Sequence, residues 1–104
     1  MNDGPTDELV RLDISARGRV QGVGFRWFVV RRASELGLTG WVANEPDGSV
    51  HCVAEGPLDA IDRIEAIIRR GPVGAIVEHV SAVRMPATGG FGGFGVRSGG
   101  HAGD

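Results

Sequence analysis

The chain reads as an α+β sandwich of order β-α-β-β-α-β: one antiparallel sheet, two helices on one of its faces, and a short extra strand at an edge. Three observations predict it. Val10, Leu12, Ile14 and Ala16 alternate with Arg11, Asp13, Ser15 and Arg17, the signature of a half-buried strand. Two later segments carry apolar residues at helical spacing. Between those segments lies a turn, Glu45-Pro46-Asp47-Gly48, flanked by two strand-like runs.

In chain order, Leu9 to Ala16 is β1. Phe25, Val29, Arg32/Ala33 and Leu36 recur on one helical face and define α1 over Arg26 to Leu36, with Gly37 as its stop. Thr39 to Asn44 is β2. Ser49 to Glu55 is β3, in which Val50, Cys52 and Ala54 share one face. Gly56-Pro57 opens α2, Pro57 suiting a first helical position, and Leu58, Ile61, Ile64 and Ile67/Ile68 form its apolar stripe up to Gly71-Pro72. Ile76 to Met85 is β4. Its alternation is broken, because Val77 and Val80 fall on opposite parities, and a bulge or irregular start is expected there. Phe94 to Arg97 supplies the short edge strand. The folded domain is expected over 9–97, between a disordered leader at 1–8 and a glycine-rich disordered tail at 98–104. Two split β-α-β units over one sheet make this the ferredoxin-like arrangement.

Composition narrows the function. The 104 residues are 41% hydrophobic and 23% charged, enough for one domain with one core. A net charge of -2 argues against a general binder of nucleic acid. All 11 basic residues are arginine, which is read as genome composition. The single cysteine, Cys52, precludes an intrachain disulfide and fits a reducing compartment. No apolar run reaches the roughly 18 residues of a membrane helix. Met1 to Glu8 lacks the basic and apolar regions of a secretion signal, so a cytoplasmic location is expected. Nothing calls for more than a monomer.

The stretch Gly18-Arg19-Val20-Gln21-Gly22-Val23-Gly24-Phe25-Arg26 stands at a strand-to-helix junction. Backbone N–H groups there can converge on an anion, and the helix start adds partial positive charge. The guanidinium of Arg26 would complete a cup for a dianionic phosphoryl group. Gly22-Val23-Gly24 alone is weak: the dinucleotide pattern would need glycine at Trp27, and a P-loop would need Gly-Lys-Ser/Thr. Geometry brings a second group. α1 returns about 16 Å, and β2, parallel to β1, climbs about 20 Å, so its last residue, Asn44, arrives level with the cup. A neutral amide both donates and accepts, and beside a phosphoryl group it can orient a water. His51, His79 and His101 show no metal-ligand spacing with Cys52.

These residues resemble a known family. The segment from Gly18 to Arg26 is similar to the first signature of acylphosphatases. Gly40-Trp41-Val42-Ala43-Asn44, followed by Gly48-Ser49-Val50 and Gly56, is similar to the second. The resemblance implies hydrolysis of the carboxyl–phosphate bond of acyl phosphates, without metal or cofactor, releasing inorganic phosphate. By position it implies phosphate binding by Arg26, water orientation by Asn44, and an amide cradle from Arg19, Val20, Gln21, Gly22, Val23, Gly24 and Phe25. Ala16 departs from the usual larger aliphatic, and the last strand is unusually rich in glycine. Two other readings share the fold: a non-catalytic phosphate- or anion-binding module, and an RNA-binding domain. The first has no need of Asn44. Against the second, the β1 and β3 runs contain no aromatic residue on which bases could stack.

Overall fold

A computed structural model describes residues 8–98. The leader and tail expected at the two ends therefore lie, apart from Glu8 and Ser98, outside the described residues. The elements are β1 Leu9–Arg19, α1 Phe25–Glu35, β2 Thr39–Asn44, β3 Val50–Pro57, α2 Leu58–Arg70, β4 Ile76–Pro86 and β5 Phe94–Val96. The sheet order is β4-β1-β3-β2-β5, and the ferredoxin-like arrangement is present.

The helices close as their sequences require. At the end of α1 the Leu38 N–H bonds the Ala33 carbonyl and the Gly37 N–H bonds that of Ser34. Gly37 adopts φ 73°, completing a Schellman motif that satisfies carbonyls otherwise left orphaned. β3 runs without a loop into α2, so Pro57 is the cap of that helix rather than its first residue.

Two features of the sheet differ from a regular antiparallel one. The first is a register shift between β1 and β4: Arg17 pairs with His79 but Gly18 pairs with Val77, leaving Glu78 as the extra residue. This is the irregularity foreseen from Val77 and Val80. The bulge lets both valines pack against the core despite their opposite parities. Gly18 is required here, since at its φ of 131° a Cβ would run into the Ile76 carbonyl. The second is β5, which pairs with β2 in parallel, so the sheet is mixed rather than wholly antiparallel. After β4 the chain crosses the lower edge of the sheet: Ala87 N–H bonds the Leu9 carbonyl, and Gly40 N–H bonds that of Gly93. β5 thus starts at the same end as β2 and runs the same way.

The helix-covered face holds the core. Leu12, Ile14 and Ala16 of β1, Val42 of β2, and Cys52 and Ala54 of β3 meet Phe25, Val29 and Ala33 of α1 and Ile61, Ile64 and Ile68 of α2. Burial pushes the Cys52 thiol up, with the Asp13 charge adding to the effect, so it is an inert part of that core. The other face carries Trp41, which lies edge-on against His51, with the Arg97 guanidinium 4.4 Å above its ring centre. Trp41 is therefore sheet-face packing. His79 is exposed on the β4 edge strand.

The crossing under the sheet is held by a buried charge. Glu55, 4% exposed, accepts the Thr88 and Gly89 N–H groups (both 2.9 Å), the Thr88 hydroxyl and the Arg11 Nε at 2.7 Å. Burial alone would raise the Glu55 carboxyl. The Thr88 N–H, Arg11, the Gly89 N–H and the Thr88 hydroxyl outweigh it and hold the group at about 2. The unfolded chain, with an ordinary carboxyl near 4.5, binds the proton more readily. The stabilisation is thus full above about pH 4.5 and is lost as pH falls towards 2. It is worth about 3 kcal/mol at full strength and roughly 2 after screening near the surface. Glu55→Gln should lose about that much stability at pH 7 by urea unfolding. The gap to wild type should narrow between pH 4.5 and 2; a gap of constant size would assign Glu55 a role independent of its charge.

Candidate active site

The glycine stretch is pinned at both ends by apolar side chains. Val20 (1% exposed) and Phe25 (2%) lie in the core, and Phe25 meets Phe28 edge-on. Val23 packs partly against the same cluster. Gly22 and Gly24, between these anchors, are exposed. Both adopt left-handed backbone, φ 78° and 79°, a conformation that turns consecutive N–H groups inward and that glycine adopts without strain. Gly24 is the N-cap of α1. It offers no side-chain cap, and the first turn contains no acidic residue, so the amides of that turn are not met by a capping side chain. Arg26 is half-buried on the same turn. A cation there opposes the helix dipole unless an anion joins it.

The predicted site residues thus divide by what they can present. Arg19 is still paired with Ile76 at the end of β1, three residues beyond the expected end of that strand, with its side chain exposed. Val20, Val23 and Phe25 put their side chains into the core and could face a ligand only through backbone. The Gln21 side chain is turned elsewhere: its Nε2 donates to the carbonyls of Glu45 (2.9 Å) and Ser49 (3.0 Å). Arg11, earlier on β1, lies at the opposite end of the sheet with Glu55.

Asn44 is the last residue of β2 and pairs with Val50. It shares the parity of Gly40 and Val42, and Val42 belongs to the helix-side core, so alternation directs Asn44 to the face that carries α1. The turn that follows is tightly built. Glu45 N–H bonds the Ser49 carbonyl, and Gly48 N–H bonds that of Glu45. Asp47 accepts both the N–H and the hydroxyl of Ser49 and is paired with Arg17 at 2.7 Å. Those Ser49 bonds first, and Arg17 after them, bring the Asp47 carboxyl down to about 2. On the opposite face His51 Nε2 lies 2.8 Å from Asp13, and its Nδ1 lies 3.4 Å from Glu45.

Sequence reading missed two of these links, Gln21 to the turn and His51 to Asp13 and Glu45. The Asp47-Gly48-Ser49 run did carry the signal of an Asx turn. Among the described residues, no three His, Cys, Asp or Glu side chains are grouped to hold a metal ion.

The acylphosphatase family model matches residues 12–96. An acylphosphatase of Salinibacter ruber is 52% identical over 86 residues, spanning 81% of this chain and 90% of the relative. One of Trichormus variabilis is 45% identical over 96 residues, spanning 92% and 94%. The crystal structure of acylphosphatase from Bacillus subtilis superimposes with a TM-score of 0.81 at 35% identity, covering 85% of this chain and 98% of that one. These likenesses run through both signature stretches and across nearly the whole fold. The chain therefore belongs to the acylphosphatase family, the enzymes that hydrolyse the carboxyl–phosphate bond of acyl phosphates.

Proposed function

We propose that the phosphoryl group of a small acyl phosphate is bound by Arg26 and the backbone amides from Arg19 to Phe25, and that Asn44 holds the attacking water in line. The observation that carries this reading is the link between the two halves. The residue after Asn44 accepts a 2.9 Å hydrogen bond from Gln21, inside the glycine stretch. Asn44 is thereby tied to the phosphate cup, and strand alternation aims it at the face on which α1 begins.

The chemistry asks little more. Cleavage of the carboxyl–phosphate bond releases a carboxylate, a good leaving group, so acid catalysis is not needed. Transfer through a loose transition state depends on positioning and on charge stabilisation. Arg26 and the amides offset charge on the equatorial oxygens, Asn44 orients the water, and a substrate phosphoryl oxygen accepts the water proton. Water adds to phosphorus as the carboxylate departs, and the products are carboxylate and inorganic phosphate. No metal or cofactor enters this scheme. The protein acts as a cytoplasmic monomer without a nucleic-acid or membrane partner; the lone buried thiol fits a reducing compartment.

Release of inorganic phosphate from an aryl acyl phosphate, measured with chelator present, tests the assignment. Wild type should be active. Arg26→Ala and Asn44→Ala should each lose about 10²–10³ in rate, by analogy with removal of a single oxyanion donor. Undiminished turnover in Asn44→Ala would remove that residue from the mechanism, and a requirement for added metal would overturn the metal-free scheme. A turnover profile that follows one histidine would replace the phosphoryl oxygen as proton acceptor.

Binding can be separated from turnover. Free phosphate at a hundred times its Kd should stabilise the wild-type fold by about 2.7 kcal/mol, seen as a rise in Tm. Arg26→Ala should show much less of that rise, while Asn44→Ala should keep most of it. Equal protection of all three proteins would place phosphate somewhere other than the cup.

A further inference from the structure

The β1–β3 ladder stops at Ala16 and Val50. Above it β1 continues through Arg17, Gly18 and Arg19 against β4 alone. β2 also ends at this level, Asn44 being paired with Val50. The cup and Asn44 therefore stand on opposite sides of a notch that no backbone ladder crosses. The 45–49 turn fills the notch. On the opposite face His51 bridges Glu45 to Asp13, and among the described residues two side chains from the β1 side reach the turn directly. One is Arg17, in an exposed pair with Asp47, a contact of the kind worth little in water. The other is Gln21, which is half-buried.

Gln21 spends both hydrogens of one amide nitrogen on the two carbonyls that close the turn. Each carbonyl already receives a backbone N–H from within the turn, Gly48 to Glu45 and Glu45 to Ser49. Gln21 thus grips a preformed turn at both ends. Its own backbone lies beside Gly22, among the amides proposed to face phosphate.

We propose that Gln21 is a positioning residue, whose side chain sets the spacing between the phosphate cup and the water-holding amide of Asn44. This rests on the roles proposed above for the cup and Asn44. A misplacement of about 1 Å costs on the order of 10²-fold in a reaction of this kind, and the half-buried Gln21 side chain holds the turn directly by its backbone carbonyls. Its residue type follows from the job. Glutamate would set a carboxylate against two carbonyls, and asparagine would fall one methylene short.

The test uses Gln21→Met, which keeps length and removes both donors, alone and combined with Asn44→Ala. Gln21→Met should lower kcat about 10- to 100-fold. The inhibition constant of inorganic phosphate should stay within about 3-fold of wild type, because the amides and Arg26 remain. In the Asn44→Ala background the same substitution should cost little further, since two residues acting through one water are not additive. Unchanged kcat in Gln21→Met would overturn the proposal, and so would its full cost persisting without Asn44. Phosphate inhibition weakening in step with kcat would also overturn it, by assigning Gln21 to the cup itself. Should Gln21→Met fail to fold, Gln21→Ala carries the same comparison. Undiminished kcat in Asn44→Ala alone would instead bring down the role of Asn44, and with it what Gln21 is proposed to position.

Discussion

β1 pairs unequally with its two neighbours, β3 and β4, and the candidate site depends on that inequality. β1 holds β3 as far as Ala16 and holds β4 three residues further. The extra length lifts the glycine stretch clear of the β3 ladder while keeping its base in the sheet. At the bulge, Gly18 lets the chain lie against the Ile76 carbonyl. Val20 and Phe25 then fasten the two sides of the loop to the core. A loop of exposed glycines would otherwise carry the full conformational entropy of glycine. Here the freedom is confined to Gly22 and Gly24, whose left-handed backbone is the useful part.

The two ends of the sheet use charge for different purposes. At the lower end the Glu55 carboxylate is saturated by Arg11, Thr88 and Gly89, and its function is to hold the crossing that delivers β5. At the upper end Asp47 is saturated by Ser49 and Arg17. That leaves the first turn of α1 with Arg26 and no acidic residue of its own. The Asp47 charge is thus countered by Arg17, which limits the like-charge repulsion that this carboxylate would offer a dianionic substrate.

Most of the fold was legible in the sequence, because its strands are half-buried and its helices amphipathic. β2 begins and ends where alternation and the Glu45-Pro46 turn place it, and the bulge in β4 was readable from the clash of parity at Val77 and Val80. The far end of β1 was not, since Arg17, Gly18 and Arg19 have no apolar pattern and are strand only because β4 pairs with them. The direction of β5 was equally hidden: it follows from where Glu55 holds Thr88 and Gly89, a contact across more than thirty residues. At the proposed site, Arg26 and Asn44 carry recognisable chemistry at positions that match the two signatures. The Gln21 contact was not legible, because its partners are backbone carbonyls, and any residue at 45 and 49 would supply those.

A domain of this size can catalyse because the reaction asks mainly for positioning. In the proposed scheme, with a good leaving group and no covalent intermediate, the protein's task is to fix three things relative to one another: an anion, a cation and a water. In that scheme the first two meet on one continuous segment, the loop and the first turn of α1, where local backbone geometry suffices. The third comes from a different strand, and sheet pairing brings that strand only to the lip of the notch. Beyond that lip no ladder hydrogen bond holds β1 to β3. The weakest dimension of the site is therefore the one across the notch, from cup to amide. A half-buried side chain that grips the turn through two backbone carbonyls stiffens that dimension, and it does so without adding charge where the substrate must sit.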